Sequence, residues 1–121
     1  MSQQTTDFGK QSEDLACEYL RERGFEILHR NYRYGKNEID IITKRANTVS
    51  FVEVKARRST AYGHPAEAVT KTKQKEIVKV ATYFIAQQTN STLDYRFDVL
   101  TILHTAQTLD ISFIEDAFRV F

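Results

Sequence analysis

The fold of this chain is set by residues 37–58, NEIDIITKRANTVSFVEVKARR. This stretch contains two segments rich in β-branched residues, EIDIITK at 38–44 and TVSFVEVK at 48–55, with a short polar break between them. β-branched residues favour strands, and a short polar break between two such segments favours a turn. We therefore predict two neighbouring strands at the centre of the domain.

The first predicted strand carries acidic residues within an apolar pattern. Side chains alternate between the two faces of a strand. Glu38 and Asp40 are therefore expected on one face, and Ile39 and Ile41 on the other.

The second predicted strand repeats this pattern, because Glu53 and Lys55 share a face with Phe51. If the two strands pair as a hairpin, three carboxylates and one ammonium group come close together on one face. A carboxylate cluster beside a lysine can bind a divalent cation and support chemistry on phosphate.

An ordinary alternative is that these charges face solvent, as they commonly do on antiparallel strands. Two features oppose it. Phe51 and Ile42 fall on the charged faces, and the opposite faces are fully apolar. Strands covered on both sides would half-bury the charges, which is costly unless the charges are paired or bound to metal.

Length and composition indicate one globular domain spanning residues 1–121, with residues 1–8 as a loose leader. Hydrophobic residues make up 41% of the chain and charged residues 27%. We find neither an apolar stretch suited to a signal peptide nor a run long enough to span a membrane. The lack of such a run predicts no membrane partner. Cys17 is the single cysteine, which favours a reducing, cytoplasmic location.

The net charge of +1 gives little support to a nucleic-acid partner, but the charges are unevenly distributed. Residues 55–79 hold seven basic and two acidic residues, whereas residues 94–121 hold two basic and five acidic residues. A polarised molecule can present a basic face to phosphates while its total charge stays near zero.

The order Asp40, spacer, Glu53-Val54-Lys55 resembles the active-site motif of restriction-endonuclease-like nucleases. In its context, NEIDII followed by FVEVKAR, the chain resembles the YraN family of bacterial proteins, which are related in fold to archaeal Holliday-junction resolvases. The resemblance runs from Gly9 to Phe118. It includes an R-F-D-V element at residues 96–99.

This resemblance implies a metal-dependent endonuclease that hydrolyses DNA, including structured or branched DNA. Asp40 and Glu53 would hold Mg²⁺ or Mn²⁺ together with the Val54 carbonyl, and Lys55 would orient the attacking water. Glu38 would serve an outer shell or a second cation. Junction resolvases act as symmetric dimers, so the analogy suggests a homodimer.

A second glutamate enters the site by resemblance alone. The family carries a G-x-x-G-E-x-x-A pattern, matched here at Gly9, Ser12, Glu13 and Ala16 with serine in place of the second glycine. The resemblance would turn Glu13 towards the metal site, whereas its place on a helix would equally suit a solvated face.

Five residues are candidates for contact with nucleic acid. Lys73 lies on the apolar line of a predicted helix, where a lysine needs an anion or a route to water. The other candidates could equally be ordinary turn or surface residues. They are Arg33, Arg57, Arg58 and Tyr62.

The predicted order of elements is α-β-β-β-α-β-β, an α/β fold with a mixed sheet flanked by helices, as in the restriction-endonuclease-like core. The first helix is expected to begin between Asp7 and Ser12 and to end at Gly24, and the second to span residues 66–88. Two further readings of function remain open. One is a nucleic-acid-binding module of nuclease fold without significant catalysis, and the other is a protein-interaction scaffold.

Overall fold

The computed structural model describes residues 3–59 and 69–119, and of residues 3–7 it describes the backbone alone. The elements follow the order α-β-β-β-α-β-β, which confirms the predicted α/β class. Their bounds are α1 Gln3–Glu22, β1 Glu26–Tyr34, β2 Asn37–Arg45, β3 Thr48–Arg57, α2 Lys71–Ala86, β4 Asp94–His104 and β5 Leu109–Phe118.

The five strands form one mixed sheet in the order β1-β2-β3-β4-β5. All neighbours are antiparallel except β3 and β4, which are parallel. Parallel neighbours need a crossover connection, and the segment containing α2 provides it. No helix of the described residues is long and apolar enough to cross a membrane.

One face of the sheet packs against α2 around the ring of Phe51, which is 1% exposed. Its centroid lies 5.7 Å from that of Phe84 on α2 and 5.4 Å from that of Phe97 on β4. Aromatic pairs at such distances add to the stabilisation from burial. This aromatic cluster fixes α2 over the centre of the sheet.

The other face packs against α1. Ala16, Cys17 and Leu20 are buried there against Ile41 and Val52. β2 and β3 are therefore covered on both sides, as the sequence predicted. Glu53, in the interior of β3, is 6% exposed and therefore does not lie on a free surface.

The ends of both helices follow local sequence. α1 ends in a Schellman arrangement: Gly24 has φ 87°, Phe25 N–H donates to the Leu20 carbonyl at 3.0 Å, and Gly24 N–H donates to the Arg21 carbonyl at 3.0 Å. α2 begins at Lys71, because the Thr70 hydroxyl accepts a hydrogen bond from Lys73 N–H at 3.1 Å.

Both predicted helix starts need correction. α1 begins at Gln3, so the loose leader predicted for residues 1–8 is helical from Gln3 onward. Residues 3–8 contain neither glycine nor proline, and the ring of Phe8 anchors the segment against His104 at a centroid distance of 6.4 Å. The second helix begins at Lys71 rather than residue 66, since Val69 and Thr70 precede it and residues 60–68 lie outside the described residues.

Arg96 and Asp98 of the R-F-D-V element form an ion pair on β4, and Asp98 also ties β4 to β5. Arg96 Nε donates to Asp98 Oδ1 at 2.8 Å, and Asp116 N–H donates to the same oxygen at 2.8 Å. Asp116 has φ 54°, and the β4–β5 register shifts between Phe97 and Val99. The buried carboxylate therefore stabilises an irregularity in β5, which continues to Phe118.

Replacement of Phe51 by alanine should lower the free energy of unfolding by about 3–5 kcal/mol, the usual cost of deleting a buried phenylalanine ring. Urea unfolding monitored by circular dichroism measures the change. Leu109→Ala, at a residue 46% exposed on β5, is the matched control and should lie close to the wild type. A loss below about 1 kcal/mol for Phe51→Ala would contradict the central position assigned to this ring.

Candidate metal site

β2 does not alternate regularly at Asp40. Ile39 packs in the core under α2 together with Ile42, whereas Ile41 packs under α1. The prediction that Ile39 and Ile41 share a face is therefore wrong. The cause is local: Asn31, which lies on β1 between the partners of Ile39 and Ile41, has φ 52° and interrupts the regular pairing at Asp40.

β2 and β3 separate at the same place. Their last paired residues are Ile41 and Val52. Beyond them, Asp40 Oδ2 accepts a hydrogen bond from Val54 N–H at 2.8 Å. The Asp40 carboxylate thus supplies the acceptor that a strand carbonyl would otherwise provide, and this bond holds it beside Glu53.

Glu53 is 6% exposed, which is unusual for a carboxyl group. Burial, a hydrogen bond with Asp40 and the negative charge of Asp40 raise the pKa of Glu53 from 4.5 to about 8. Lys73 and Lys55 oppose this rise. Without metal the Glu53 carboxyl therefore retains a proton at neutral pH, because two close carboxylates cannot both ionise cheaply.

Lys73 reaches this pair from the first turn of α2. Its Nζ lies 4.0 Å from Glu53 Oε2, and its side chain is 33% exposed. The cap at Thr70 sets the rotation of this turn, which carries no acidic residue. A lysine on an otherwise apolar helix line is thereby directed to the carboxylates.

Glu13 approaches the same pair from α1. Burial and the negative charge of Asp40 raise the pKa of the Glu13 carboxyl, although the Arg30 guanidinium opposes the rise. Glu13 Oε1 is buried and accepts no hydrogen bond. A half-buried carboxylate with an unsatisfied oxygen beside Asp40 is better explained by a cation than by a solvated surface.

Glu38 lies at the edge of the cluster. Its Oε2 is 3.1 Å from Arg33 Nε, but the contact lacks the geometry of a hydrogen bond and this buried oxygen accepts none. The charge of Glu38 also contributes to the raised pKa of Glu13. The structure therefore gathers all four predicted acidic residues, with Asp40 at the centre.

The arrangement fits a hard divalent cation. Within the described parts of the chain, no group of three or more His, Cys, Asp or Glu side chains is arranged so that it could hold a metal ion by itself. Mg²⁺ is commonly held by one or two carboxylates and keeps several waters. Asp40 and Glu53 supply two carboxylates, the Val54 carbonyl follows Glu53 in the chain, and Glu13 adds an unsatisfied oxygen.

The predicted nucleic-acid contacts lie on different parts of the molecule. Arg57 ends β3 and is half-buried, and the exposed Arg58 guanidinium lies 4.2 Å from the centroid of the Phe8 ring. The Arg33 side chain is 70% exposed and pairs with Glu38. Tyr62 lies outside the described residues.

Sequence reasoning missed the supports of this cluster on β1. Arg30 Nη2 lies 2.8 Å from Asp14 Oδ1, which ties β1 to α1 beside Glu13. Asn31 adopts a positive φ and its side chain lowers the pKa of Glu13. The sequence signal for the positive φ was Asn31 itself, because asparagine tolerates left-handed backbone angles.

The model of the uncharacterised protein family UPF0102 matches residues 12–102 of this chain. The chain belongs to this family. The match confirms the resemblance to the YraN family, because UPF0102 and YraN are two names for the same family. It covers both strands of the candidate site and Lys73.

Individual UPF0102 proteins are similar along nearly the whole chain. The UPF0102 protein of Chloroherpeton thalassium is 52% identical, with 93% of each chain covered. The UPF0102 protein of Caldicellulosiruptor saccharolyticus is 46% identical, with 93% of this chain and 97% of the relative covered. A UPF0102 protein of Clostridium acetobutylicum is 37% identical over 99% of this chain and 98% of the relative. These names state the family and no activity.

Asp40→Asn should leave this UPF0102 protein equally stable or more stable in the presence of a chelator. The amide oxygen of asparagine can still accept the hydrogen bond from Val54 N–H, and one of several mutually repelling charges is removed. Urea unfolding in chelator measures the difference.

Asp98→Asn is the matched control, because it makes the same substitution at a carboxylate that belongs to a structural ion pair. Asp98 is 1% exposed and paired with Arg96, so its replacement should cost about 3–5 kcal/mol. A comparable loss in Asp40→Asn would show that Asp40 serves the fold rather than a cation.

The metal-free protein should lose stability as pH rises from 4.5 to about 8. In this window the folded state keeps the Glu53 proton that the unfolded state has already released, so rising pH favours unfolding. Glu53→Gln should flatten the profile, which urea unfolding at a series of pH values in chelator measures. Identical slopes for the two proteins would contradict the raised pKa of Glu53.

Proposed function

We propose that this protein is a metal-dependent endonuclease that hydrolyses phosphodiester bonds of DNA, with structured or branched DNA as its preferred substrate. The observation that carries the proposal is the pair formed by Asp40 and Glu53 where β2 and β3 separate. The carboxylates share a hydrogen bond there, and lysines from β3 and α2 lie beside them.

Each residue of the cluster has a distinct part in this proposal. Asp40 and Glu53, with the Val54 carbonyl, hold Mg²⁺ or Mn²⁺. When bound, the cation supplies charge stabilisation to the phosphoryl oxygens in the transition state. Lys55 orients the attacking water, whose oxygen bonds to phosphorus as one ester bond breaks, and it offsets the developing negative charge. Glu13 and Glu38 hold outer waters or a second cation.

The beginning of α2 supports the approach of phosphate. Acidic residues are favoured in the first turn of a helix, where the backbone carries partial positive charge. The first turn of α2 contains none, and Lys71, Lys73 and Lys75 occupy this end of the helix. A concentration of positive charge that opposes helix stability is expected where an anion binds.

The setting of the activity is part of the same proposal. A reducing, cytosolic location suits a chain whose one cysteine, Cys17, is buried and free. A homodimer would present two equivalent sites to a branched substrate, which has two equivalent strands to cut.

A nucleic-acid-binding module without turnover is the second candidate. The observation that favours it is the contact of Lys73 with Glu53, because an ammonium group 4.0 Å from a proposed ligand weakens the attraction of that ligand for a cation. In that case the basic groups would hold nucleic acid, and the carboxylates would serve the fold.

A cleavage screen tests the proposal. Fluorescent duplex, flap, single-stranded and four-way-junction DNA are incubated with the protein in Mg²⁺, in Mn²⁺ and in chelator. Cleavage should require metal, and Asp40→Asn, Glu53→Gln and Lys55→Ala should each reduce it by about a hundredfold or more, the usual effect of removing a group that stabilises the transition state.

Asp110→Asn, at an exposed position on β5 far along the sheet from the cluster, is the matched control and should cleave like the wild type. Salt-sensitive DNA binding without cleavage of any substrate would contradict the nuclease proposal and support the nucleic-acid-binding module. Cleavage that survives Asp40→Asn would assign the activity to another site or to a contaminant.

A further inference from the structure

A second concave surface, which we call the tyrosine groove, lies between the β1–β2 turn and the outer side of α2. Its volume is about 620 Å³, which is within the usual range of ligand sites. One wall is formed by residues 34–37 and the other by residues of α2. The carboxylates of the metal site do not line it.

Two exposed aromatic rings form the corner of the tyrosine groove. Tyr34 is 46% exposed and Tyr83 is 41% exposed, and only Leu109 is a comparably exposed large hydrophobic residue in the described parts of the chain. The two ring centroids lie 4.3 Å apart with the planes inclined at 58°. The rings therefore make an open angle and do not cover one another as a parallel stack.

The charge of the tyrosine groove is uniformly positive. Lys36 on the turn and Lys79 on α2 line it, and no acidic side chain does. Exposed aromatic rings between lysines suit a partner that has both flat apolar faces and negative charge. Single-stranded nucleic acid has this composition, since unpaired bases stack on aromatic side chains and phosphates attract lysines.

We propose that the tyrosine groove binds a single-stranded segment of nucleic acid, with an unpaired base stacked on Tyr34 or Tyr83 and adjacent phosphates at Lys36 and Lys79. This specifies the substrate of the proposed nuclease and rests on that function for the class of ligand. A base presents a π-face whatever its sequence, so binding at this surface is independent of sequence.

The position of the tyrosine groove agrees with such a role. Asn37 lines the groove and Asp40 holds the metal site, three residues apart on β2. At about 3.3 Å per residue the two sites are about 10 Å apart along the strand, a distance that a short single strand can span. One strand can therefore occupy the groove while a nearby phosphate reaches the carboxylates.

The turn that forms one wall of the tyrosine groove is a tight two-residue connection between paired strands. Tyr34 and Asn37 are paired in the antiparallel ladder and are joined by two residues, Gly35 and Lys36. Gly35 has φ 62°, as the tight turns between right-twisted strands require. This turn therefore places the backbone of Tyr34 beside α2, where its ring meets that of Tyr83.

Binding of a short fluorescent single strand of mixed sequence, measured by anisotropy in chelator, tests the proposal. Tyr34→Ala and Tyr83→Ala should each raise Kd by about 5- to 150-fold, the effect of losing one base–aromatic stack. Tyr34→Phe and Tyr83→Phe keep the ring and should bind like the wild type. An abasic strand of the same length should bind more weakly and should not respond to the alanine changes.

The lysines are tested by salt dependence with the same strand. Lys36→Gln and Lys79→Gln should each lower the salt slope by about 0.7, the value for one phosphate contact on a single strand. Lys10→Gln, at an exposed position on α1 that does not line the groove, is the matched control. Because these variants are at exposed positions, circular dichroism should show unchanged folding.

The outcomes separate the alternatives. Equal affinity of wild type and both tyrosine variants would overturn the proposal. If the variants instead convert a dimer to a monomer in sedimentation without changing affinity, the tyrosine groove is an interface between two copies of this chain. The measurement is made in chelator, so a protein that never cleaves DNA can still pass it, and failure here leaves the cleavage test unaffected.

Discussion

The hydrogen bond from Val54 N–H to the Asp40 carboxylate is the contact on which the candidate site depends. In a regular hairpin the two strands would continue to pair through their main chains, and their side chains would alternate strictly. Here a side chain replaces the main-chain acceptor, and the strands can separate without leaving a buried donor unsatisfied. The separation makes room for Glu53, and both helices then deliver charge to the same point, Glu13 from α1 and Lys73 from α2.

The two helices are placed by the packing of the sheet. The parallel pairing of β3 with β4 requires a crossover, and the crossover lays α2 over Phe51. A shift of α2 by one turn, about 5.4 Å, would remove Lys73 from Glu53, so the aromatic contacts of Phe84 also fix the site. Stability and chemistry are coupled here because Phe51 of the aromatic cluster and Glu53 of the candidate site lie two residues apart on β3.

Much of this could be predicted from the sequence, for identifiable reasons. Gly24 ends a helix because its φ of 87° suits glycine, and the position of Lys73 on an apolar line indicated that its ammonium group needs an anion or a route to water. The face of Ile39 could not be predicted, because it depends on the backbone angle of Asn31 on the neighbouring strand. The tyrosine groove could not be predicted from the sequence either, because it forms only where the β1–β2 turn and α2 meet in space.

The contact between the Lys73 ammonium group and the Glu53 carboxyl group has a consequence for the order of binding. A cation held by Glu53 would compete with Lys73 for the same carboxylate and would release the ammonium group towards a phosphate. A phosphate that draws Lys73 away would, in turn, leave Glu53 more attractive to the cation. Such coupling is reciprocal by thermodynamic necessity. The two ligands of this cluster would therefore strengthen each other, and one flexible side chain would make the protein cooperative without any movement of the backbone.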